Sequence, residues 1–281
     1  MVKISGILSI NNAVYLGYPF IEAVLSVLPI VDEFLINDGG SDDETPIYLK
    51  KLQKTFPNKI RLFNKSFYPS NFWEAVDNSL NFLINKAKGN WLFEVQGDEV
   101  WHEKDILKVK ETIEKASIEG YNSIRAVLQW INFQAIDPYK YRNVRMVRRI
   151  KDLKSHWCGD DFRTANTEKE GPTKGFTGSN IPPELVTNLV YFNLGLDIVF
   201  PGNTIERARA HVTFLARAQE ERRTMLKILE SLPLQRQEPN PEVVKKLPAL
   251  IQGLAGFSKY KVRDELFDKK FLKKLTGITY K

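Results

Sequence analysis

The sequence predicts an α/β protein built on a mostly parallel sheet with helices on both faces. Two observations carry this. Through the first 120 of the 281 residues, apolar runs of strand length alternate with amphipathic stretches of helical period. Repeated βα units of that size close into a parallel sheet, because the connections between parallel strands must cross over. Composition agrees: 43% apolar and 27% charged residues suit a folded globular chain and exclude a disordered or collagen-like one.

The elements follow in order. Residues 3–10 read as a strand and 15–28 as a helix stopped by Pro29. Residues 31–37 form a second strand, 42–56 a helix with one early proline, and 59–64 a third strand. A helix over 71–88 closes at Gly89, a fourth strand spans 91–96, and a helix runs from about 104 to 119. Beyond Tyr121 the pattern changes. Residues 122–133 and 142–150 read as strands, 154–180 as a polar, Gly-rich loop without clear period, and 197–201 as a short strand. From Thr204 the chain turns helical, broken into three pieces by prolines at 233, 239, 241 and 248. This divides the chain into a domain at 1–215 and a helical extension at 216–281.

The formal charge of +7 points at first to polyanions. Its distribution is narrower. Residues 140–154 carry +6 and residues 258–281 carry +5, so the remainder sums to −4. A lone cysteine, Cys158, allows no internal disulfide. The opening MVKISGILSINN lacks the long apolar region and cleavage site of a secretory signal, and the most apolar window, 23–36, is broken by Pro29, Asp32 and Glu33. The expected location is cytoplasmic. Neither a phosphate loop nor a paired-cysteine or HExxH metal motif occurs.

Two strand ends carry unusual chemistry. The second strand runs into Asn37-Asp38-Gly39-Gly40-Ser41-Asp42-Asp43-Glu44-Thr45, and the fourth into Gln96-Gly97-Asp98-Glu99. In open parallel sheets, ligands bind beyond the carboxyl ends of the strands. Glycines there permit close backbone approach, Ser41 or Asp42 is placed to cap the next helix, and Asp38 is left to accept from a nucleobase or ribose. Asp98 and Glu99 are hard-oxygen donors suited to Mg²⁺ or Mn²⁺. Either junction alone is also what an ordinary turn looks like. Two of them, sixty residues apart in one frame of an alternating half, are harder to obtain by accident.

VDEFLINDGGSDDET at 31–45 resembles the signature of family 2 glycosyltransferases of the GT-A fold, in which a strand ends in Asp-(Asp/Gly)-Gly-Ser-x-Asp-x-Thr. NSLNFLINKAKGNWLFEVQGDEVWHEKD at 78–105 resembles that family's second signature, a helix followed by a strand and Asp-x-Asp-Glu. The resemblance is good over about 1–110, fades to about 215 and is absent beyond. It implies an inverting transferase that takes a sugar from a UDP-, GDP- or dTDP-sugar, with Mn²⁺ or Mg²⁺ as cofactor. It implies donor contacts from Asn11, Asp38, Gly39, Gln96, Gly97 and Asp98, and a cation held by Asp98 with Glu99 beside it. Gln96 departs from the family by replacing the first aspartate, and Asp77 stands where many relatives carry arginine.

Transfer also needs a carboxylate to take the acceptor proton. In HWCGDDF, Asp161 or its neighbour Asp160 loosely resembles the family's acidic dipeptide, with Asp137 in reserve. His211, His156 and His102 are the only histidines, and the resemblance implies a further metal ligand from the later half, His211 or His156. Arg207 and Arg209 are placed to meet phosphate or solvent. Trp101 and Trp157, beside motif residues, are candidate sugar platforms.

Arg142, Arg145, Arg148 and Arg149 read as a solvated strand face or as an acceptor phosphate site. In the tail, Val262, Leu266, Phe267, Phe271 and Leu275 recur at helical spacing between lysines, which describes a basic amphipathic helix. It is suited to docking on its own domain, on a partner or on an anionic membrane surface. Expected partners are the nucleotide sugar and a glycan, protein-linked or lipid-linked acceptor. Three other readings compete. A nucleotidyltransferase would show a Gly-rich amino-terminal loop, which LSINNAVYLGYP lacks; a nucleic-acid binder leaves the acidic junctions unexplained; a GT-A protein with lost catalysis is kept alive by Gln96.

Overall fold

The computed structural model describes residues 1–67, 72–131, 133, 135–156, 161–163, 183–194 and 238–281, with the backbone alone at 72–73, 137–141, 156, 161–163 and 194. The first half holds strands β1 (Ile4–Ile10), β2 (Glu33–Asp38), β3 (Ile60–Asn64) and β4 (Trp91–Glu94). Between them lie helices α1 (Ala13–Leu16), α2 (Phe20–Val27), α3 (Thr45–Thr55) and α4 (Phe72–Lys86). Then come β5 (Glu99–Trp101), α5 (Ile106–Ile118), β6 (Ser123–Ile131), β7 (Ile136–Arg148), β8 (Lys154–His156), β9 (Asp161–Arg163) and β10 (Glu184–Leu194). The extension contributes α6 (Pro241–Val244), α7 (Ala249–Gln252), a 3-10 turn at Asp264–Phe267 and α8 (Lys269–Thr276).

Eight strands form one sheet in the order β3-β2-β1-β4-β7-β6-β10-β5. All but β5 and β7 share one direction. This is the mostly parallel, GT-A (Rossmann-like) α/β architecture that the sequence predicts, with a C-terminal helical extension. Alternation along the central strands sends side chains to two cores. Ile4, Leu8, Phe34, Ile36, Trp91 and Phe93 join the larger core with α2, α3 and α5. Ile7, Leu35 and Leu92 meet Leu80, Leu83 and Ile84 of α4 on the other face. β8 and β9 form a separate two-stranded ribbon. Among the described residues, no helix is long and apolar enough to cross a membrane.

Several boundaries differ from the sequence reading. The helix expected over 15–28 is two, because Gly17 takes a left-handed conformation (φ 72°) and ends α1, and Pro19 precedes α2. The expected strand at 142–150 begins earlier and ends at Arg148. β5, β8, β9 and β10 are not expected from the sequence, β8 and β9 falling in the stretch 154–180 read as a loop, and the strand expected at 197–201 lies outside the described residues. The tail is not one helix: Asp268 is extended, and its carboxylate accepts from the N–H groups of Lys270 and Phe271, starting α8 anew. The tail does dock on its own domain, with Leu266 of the 3-10 turn and Leu272 of α8 wholly buried in the larger core that also holds Ile4 and Phe56. Its lysines 269, 270, 273 and 274 stay exposed.

The amino-terminal edge of the sheet is fastened by Glu33. Its Oε1 accepts from Ser5 Oγ (2.7 Å) and Lys88 N (2.6 Å), and its Oε2 from Arg61 Nη1 (2.6 Å). Burial works against ionisation there, but these donors outweigh it and hold the carboxyl below its ordinary value of 4.5. A depressed carboxylate stabilises the fold above its unfolded value and loses that contribution as pH falls through the native one. Glu33→Gln is therefore expected to make the melting temperature less sensitive to pH below about 4.5. Parallel melting profiles of the two proteins across acidic pH would refute this.

Candidate functional site at the carboxyl edge of the sheet

β1, β2 and β4 are adjacent and parallel, with Ile10 opposite Asp38 and Ile7 opposite Glu94. Their carboxyl ends therefore open onto one edge, carrying Asn11, the 38–45 loop and the 96–98 turn. The loop is stitched to the start of α1. Gly39 N–H donates to Ile10 O (2.8 Å), Asn12 N–H to Ser41 Oγ (2.7 Å), and Asp42 N–H to Asn12 Oδ1 (2.9 Å). Val14 and Tyr15 N–H groups donate to Thr45 Oγ1 (3.1 Å) and Asp43 Oδ2 (2.7 Å). A four-residue helix leaves its first N–H groups without internal partners, and the neighbouring acidic loop supplies them. Ser41 and Asp42 thus bind across to α1, and the expected capping of α3 does not occur; its N-cap residue is Glu44, which makes no side-chain cap.

Asp38 is 4% exposed. Its Oδ1 accepts from Ser41 N (2.9 Å) and Ser41 Oγ (2.6 Å), which orients the carboxylate at the strand end. Gly39 lies against exposed Asn11, whose Nδ2 is 3.4 Å from where a Cβ at 39 would sit. Gly40 has a φ of 94°, open to glycine, and Ser66 Oγ closes the loop onto Gly39 O (2.7 Å). The second turn is set by Glu99 N–H donating to Gln96 O (3.1 Å). Within it Gly97 packs on Ile10, Tyr18 and Phe20, while Gln96 and Asp98 are half-buried. A Cβ at 97 would already meet Ile10 Cδ1 at 3.0 Å, so the turn sits tightly on the end of β1.

The expected donor residues Asn11, Asp38, Gly39, Gln96, Gly97 and Asp98 are thus gathered on one edge. Glu99 is placed differently from the expectation that sets it beside Asp98 on a cation. It is 1% exposed, and its Oε2 and Oε1 accept from Arg145 Nε (2.8 Å) and Nη2 (2.6 Å). Asp161 lies on β9, paired with His156 of β8. β8 is tied to α4 by Ser155, whose Oγ donates to Asp77 Oδ1 (2.9 Å) and whose N–H donates to Asn81 Oδ1 (2.7 Å). Asp77, the departure from arginine, is therefore an anchor for the ribbon. Asp160, Trp157, Arg207, Arg209 and His211 lie outside the described residues, as do the side chains of Asp137, His156 and Asp161.

No protein-family model and no curated protein matches the sequence. Solved structures resemble it loosely. S. aureus TarS 1–349 in complex with UDP-GlcNAc is 12% identical, with 97% of this chain and 81% of that chain covered and a TM-score of 0.42. The mannosyltransferase PcManGT from Pyrobaculum calidifontis, in complex with GDP-Man and Mn²⁺, is 13% identical over 82% of this chain and 69% of its own, with a TM-score of 0.44. Glucosyl-3-phosphoglycerate synthase from Mycobacterium tuberculosis, in complex with Mn²⁺ and UDP-Glc, covers 45% and 44% at 17% identity and a TM-score of 0.32. Superpositions this loose leave the activity of this chain to be argued from its own residues.

Glu94 escaped the sequence reading, and Arg145, read there as part of a solvated face or a phosphate site, is buried instead. Glu94 and Arg145 are 2% and 1% exposed, and Arg145 Nη1 lies 3.2 Å from Glu94 Oε2. The signal for Glu94 was its place in the run WLFEV, where a carboxylate in a buried strand needs a cation. The other three arginines of the basic run are also engaged. Arg148 Nη2 donates to Ser117 O (2.7 Å), Arg149 Nε to Gly89 O (2.9 Å), and Arg142 Nη2 to Asn188 Oδ1 (3.0 Å). Arg148 pairs opposite Trp91, the first residue of β4, so it and Arg149 lie at the sheet edge remote from Asp38 and Asp98. Trp101, a candidate platform, is core: it stacks on Tyr191 (5.0 Å between centroids) and meets Phe93 edge-on (5.3 Å).

Proposed function

We propose that the protein is a glycosyltransferase that uses a nucleotide-diphospho-sugar and inverts the anomeric centre. The observation that carries this reading is the convergence of Asn11, Asp38 and Asp98 on one carboxyl edge, where open parallel sheets bind ligands. Asp38, oriented by Ser41, accepts from the base or ribose of a UDP-, GDP- or dTDP-sugar. Asn11, Gly39 and Gln96 complete the nucleoside contacts, Gln96 by hydrogen bonding without charge.

Among the described residues, no group of three or more His, Cys, Asp or Glu is placed to hold a metal ion. The residues nonetheless suit a Mg²⁺- or Mn²⁺-type site, which takes one or two carboxylates and completes its shell with phosphate oxygens and water. Asp98 is the carboxylate for it, and His211 is the further ligand. A divalent cation held there supplies positive charge to a diphosphate leaving group. Asp161 or Asp160 removes the proton from the attacking acceptor hydroxyl of a glycan, protein-linked or lipid-linked acceptor.

The test is equilibrium titration with UDP-, GDP- and dTDP-sugars, with and without Mn²⁺. One class is expected to bind, and to bind more tightly with Mn²⁺. Absence of binding by all three sinks the proposal. Binding without transfer to any acceptor would instead favour a sugar-nucleotide-binding protein that has lost catalysis.

A further inference from the structure

Three ionisable side chains lie almost wholly buried beneath the 96–98 turn: Glu94, Glu99 and Arg145, at 2%, 1% and 1% exposure. Buried ions are retained where geometry compensates their lost hydration. Here the geometry has a particular form. Glu94 is the last residue of β4 and Glu99 the first of β5, so the two carboxylates bracket the turn. Both meet the same guanidinium. Arg145 donates through Nε and Nη2 to the two oxygens of Glu99 and sets Nη1 against Glu94.

β4 and β5 are not neighbours in the sheet, since β7, β6 and β10 lie between them in strand order. The chain leaves β4 and reaches the far edge strand within five residues; Val95 N–H to Ile7 O and Glu99 N–H to Gln96 O fix parts of this crossing, and the two strands need a further brace between them. Arg145 on β7 supplies the brace. β7 pairs with β4 at Phe93 and Met146, which sets Arg145 beside the end of β4. The guanidinium is itself fixed: Nη1 donates to Val144 O (3.2 Å), and its face lies 5.5 Å from the ring centre of Tyr191, which stacks on Trp101 of β5.

We propose that Arg145 is the positioning residue of the 96–98 turn, holding Asp98 in place before any ligand arrives by fastening both ends of that turn. This rests on the proposed function in one respect, that Asp98 serves the donor. A site whose charged groups are set in advance loses less on binding than one that must order them. The role needs arginine: a planar fork reaches two carboxylates in fixed directions, and lysine, a single point charge, does not reproduce it.

The test compares wild type with R145K and R145M by amide hydrogen exchange and by Mn²⁺ binding in separate titrations with UDP, GDP and dTDP. The informative amides are Val95, Glu99 and Trp101, which donate to Ile7 O, Gln96 O and Ser26 Oγ. R145K is expected to fold, to raise exchange at 95–101 by about tenfold or more relative to 4–10 and 33–38, and to weaken Mn²⁺-dependent nucleotide binding. Exchange at 95–101 that rises no more than in β1 overturns the proposal. So does a variant that is merely less stable while its folded fraction binds Mn²⁺ and nucleotide as wild type does, and so does an R145K that fails to fold, which would assign Arg145 to the core at large. A wild type that binds no nucleotide removes the function proposed above, and the exchange comparison still decides the role of Arg145.

Discussion

A chain ended at residue 237 is expected not to fold. Leu247, Leu250, Ile251, Leu254, Leu266 and Leu272 are 0–1% exposed and share one core with Ile4, Phe20, Phe34 and Trp91. Each such side chain contributes about 1.5–3 kcal/mol when buried. Six of them together match or exceed the roughly 5–15 kcal/mol by which a typical domain is stable. The loss is not only apolar. Glu22 on α2 is fully buried, accepts from Tyr260 Oη (2.9 Å) and lies 3.7 Å from Arg263 Nη2; that same Nη2 donates to Leu250 O. Burial pushes the Glu22 carboxyl above its ordinary value despite Arg263 and the hydrogen bonds it receives. Tyr260 also meets Phe20 edge-on at 6.4 Å, and Phe20 is one of the residues that support Gly97. Truncation thus removes the backing of Phe20, one support of the 96–98 turn, as well as the cover of the core. Far-ultraviolet dichroism and a thermal melt of residues 1–237 decide the matter, and a cooperative, wild-type-like melt would show that the extension is dispensable.

The same residues show what the sequence can and cannot reveal. β1 to β4 and the helices between them were legible because their periods are long enough to register, and because Pro29 and Gly89 punctuate them. β5 is three residues long and exists through its pairing with β10, a tertiary event that no local pattern announces. β10 itself, ELVTNLVYFNL, slips register between Val186 and Val190, which interrupts its alternation. The placement of Asp38 and Asp98 on one edge was legible because each ends or follows a strand of the alternating half. Arg145 was not, because a run of arginines reads as a solvated or phosphate-binding face. Its burial depends on Glu94 and Glu99, each more than forty residues away in sequence. The tail's period showed an amphipathic helix and concealed the break at Asp268, since the period is blind to one extended residue.

Asp98→Asn is expected to abolish Mn²⁺-dependent sugar transfer while leaving the fold intact. The exchange keeps size and hydrogen-bonding capacity and removes the charge on which cation affinity depends. Metal stabilisation of a leaving group is commonly worth several kcal/mol, and each 1.36 kcal/mol is tenfold in rate, so a loss of about a thousandfold follows. Asp98 is half-buried in a turn whose backbone bond, Glu99 N–H to Gln96 O, does not involve its side chain. Asp98→Asn spares that bond, so its cost in stability should be smaller than that of a change at the buried neighbour. Its neighbour makes the control. Glu99→Gln leaves Arg145 buried without the full charge of its fork, and breaking a buried pair typically costs about 3–5 kcal/mol. Adjacent acidic residues thus separate, one changing turnover first and the other the melt first. Paired measurements of melting temperature and of transfer against Mn²⁺ concentration test both at once. An Asp98→Asn protein that still answers to Mn²⁺ as wild type does would place the cation, or the donor, elsewhere on the molecule.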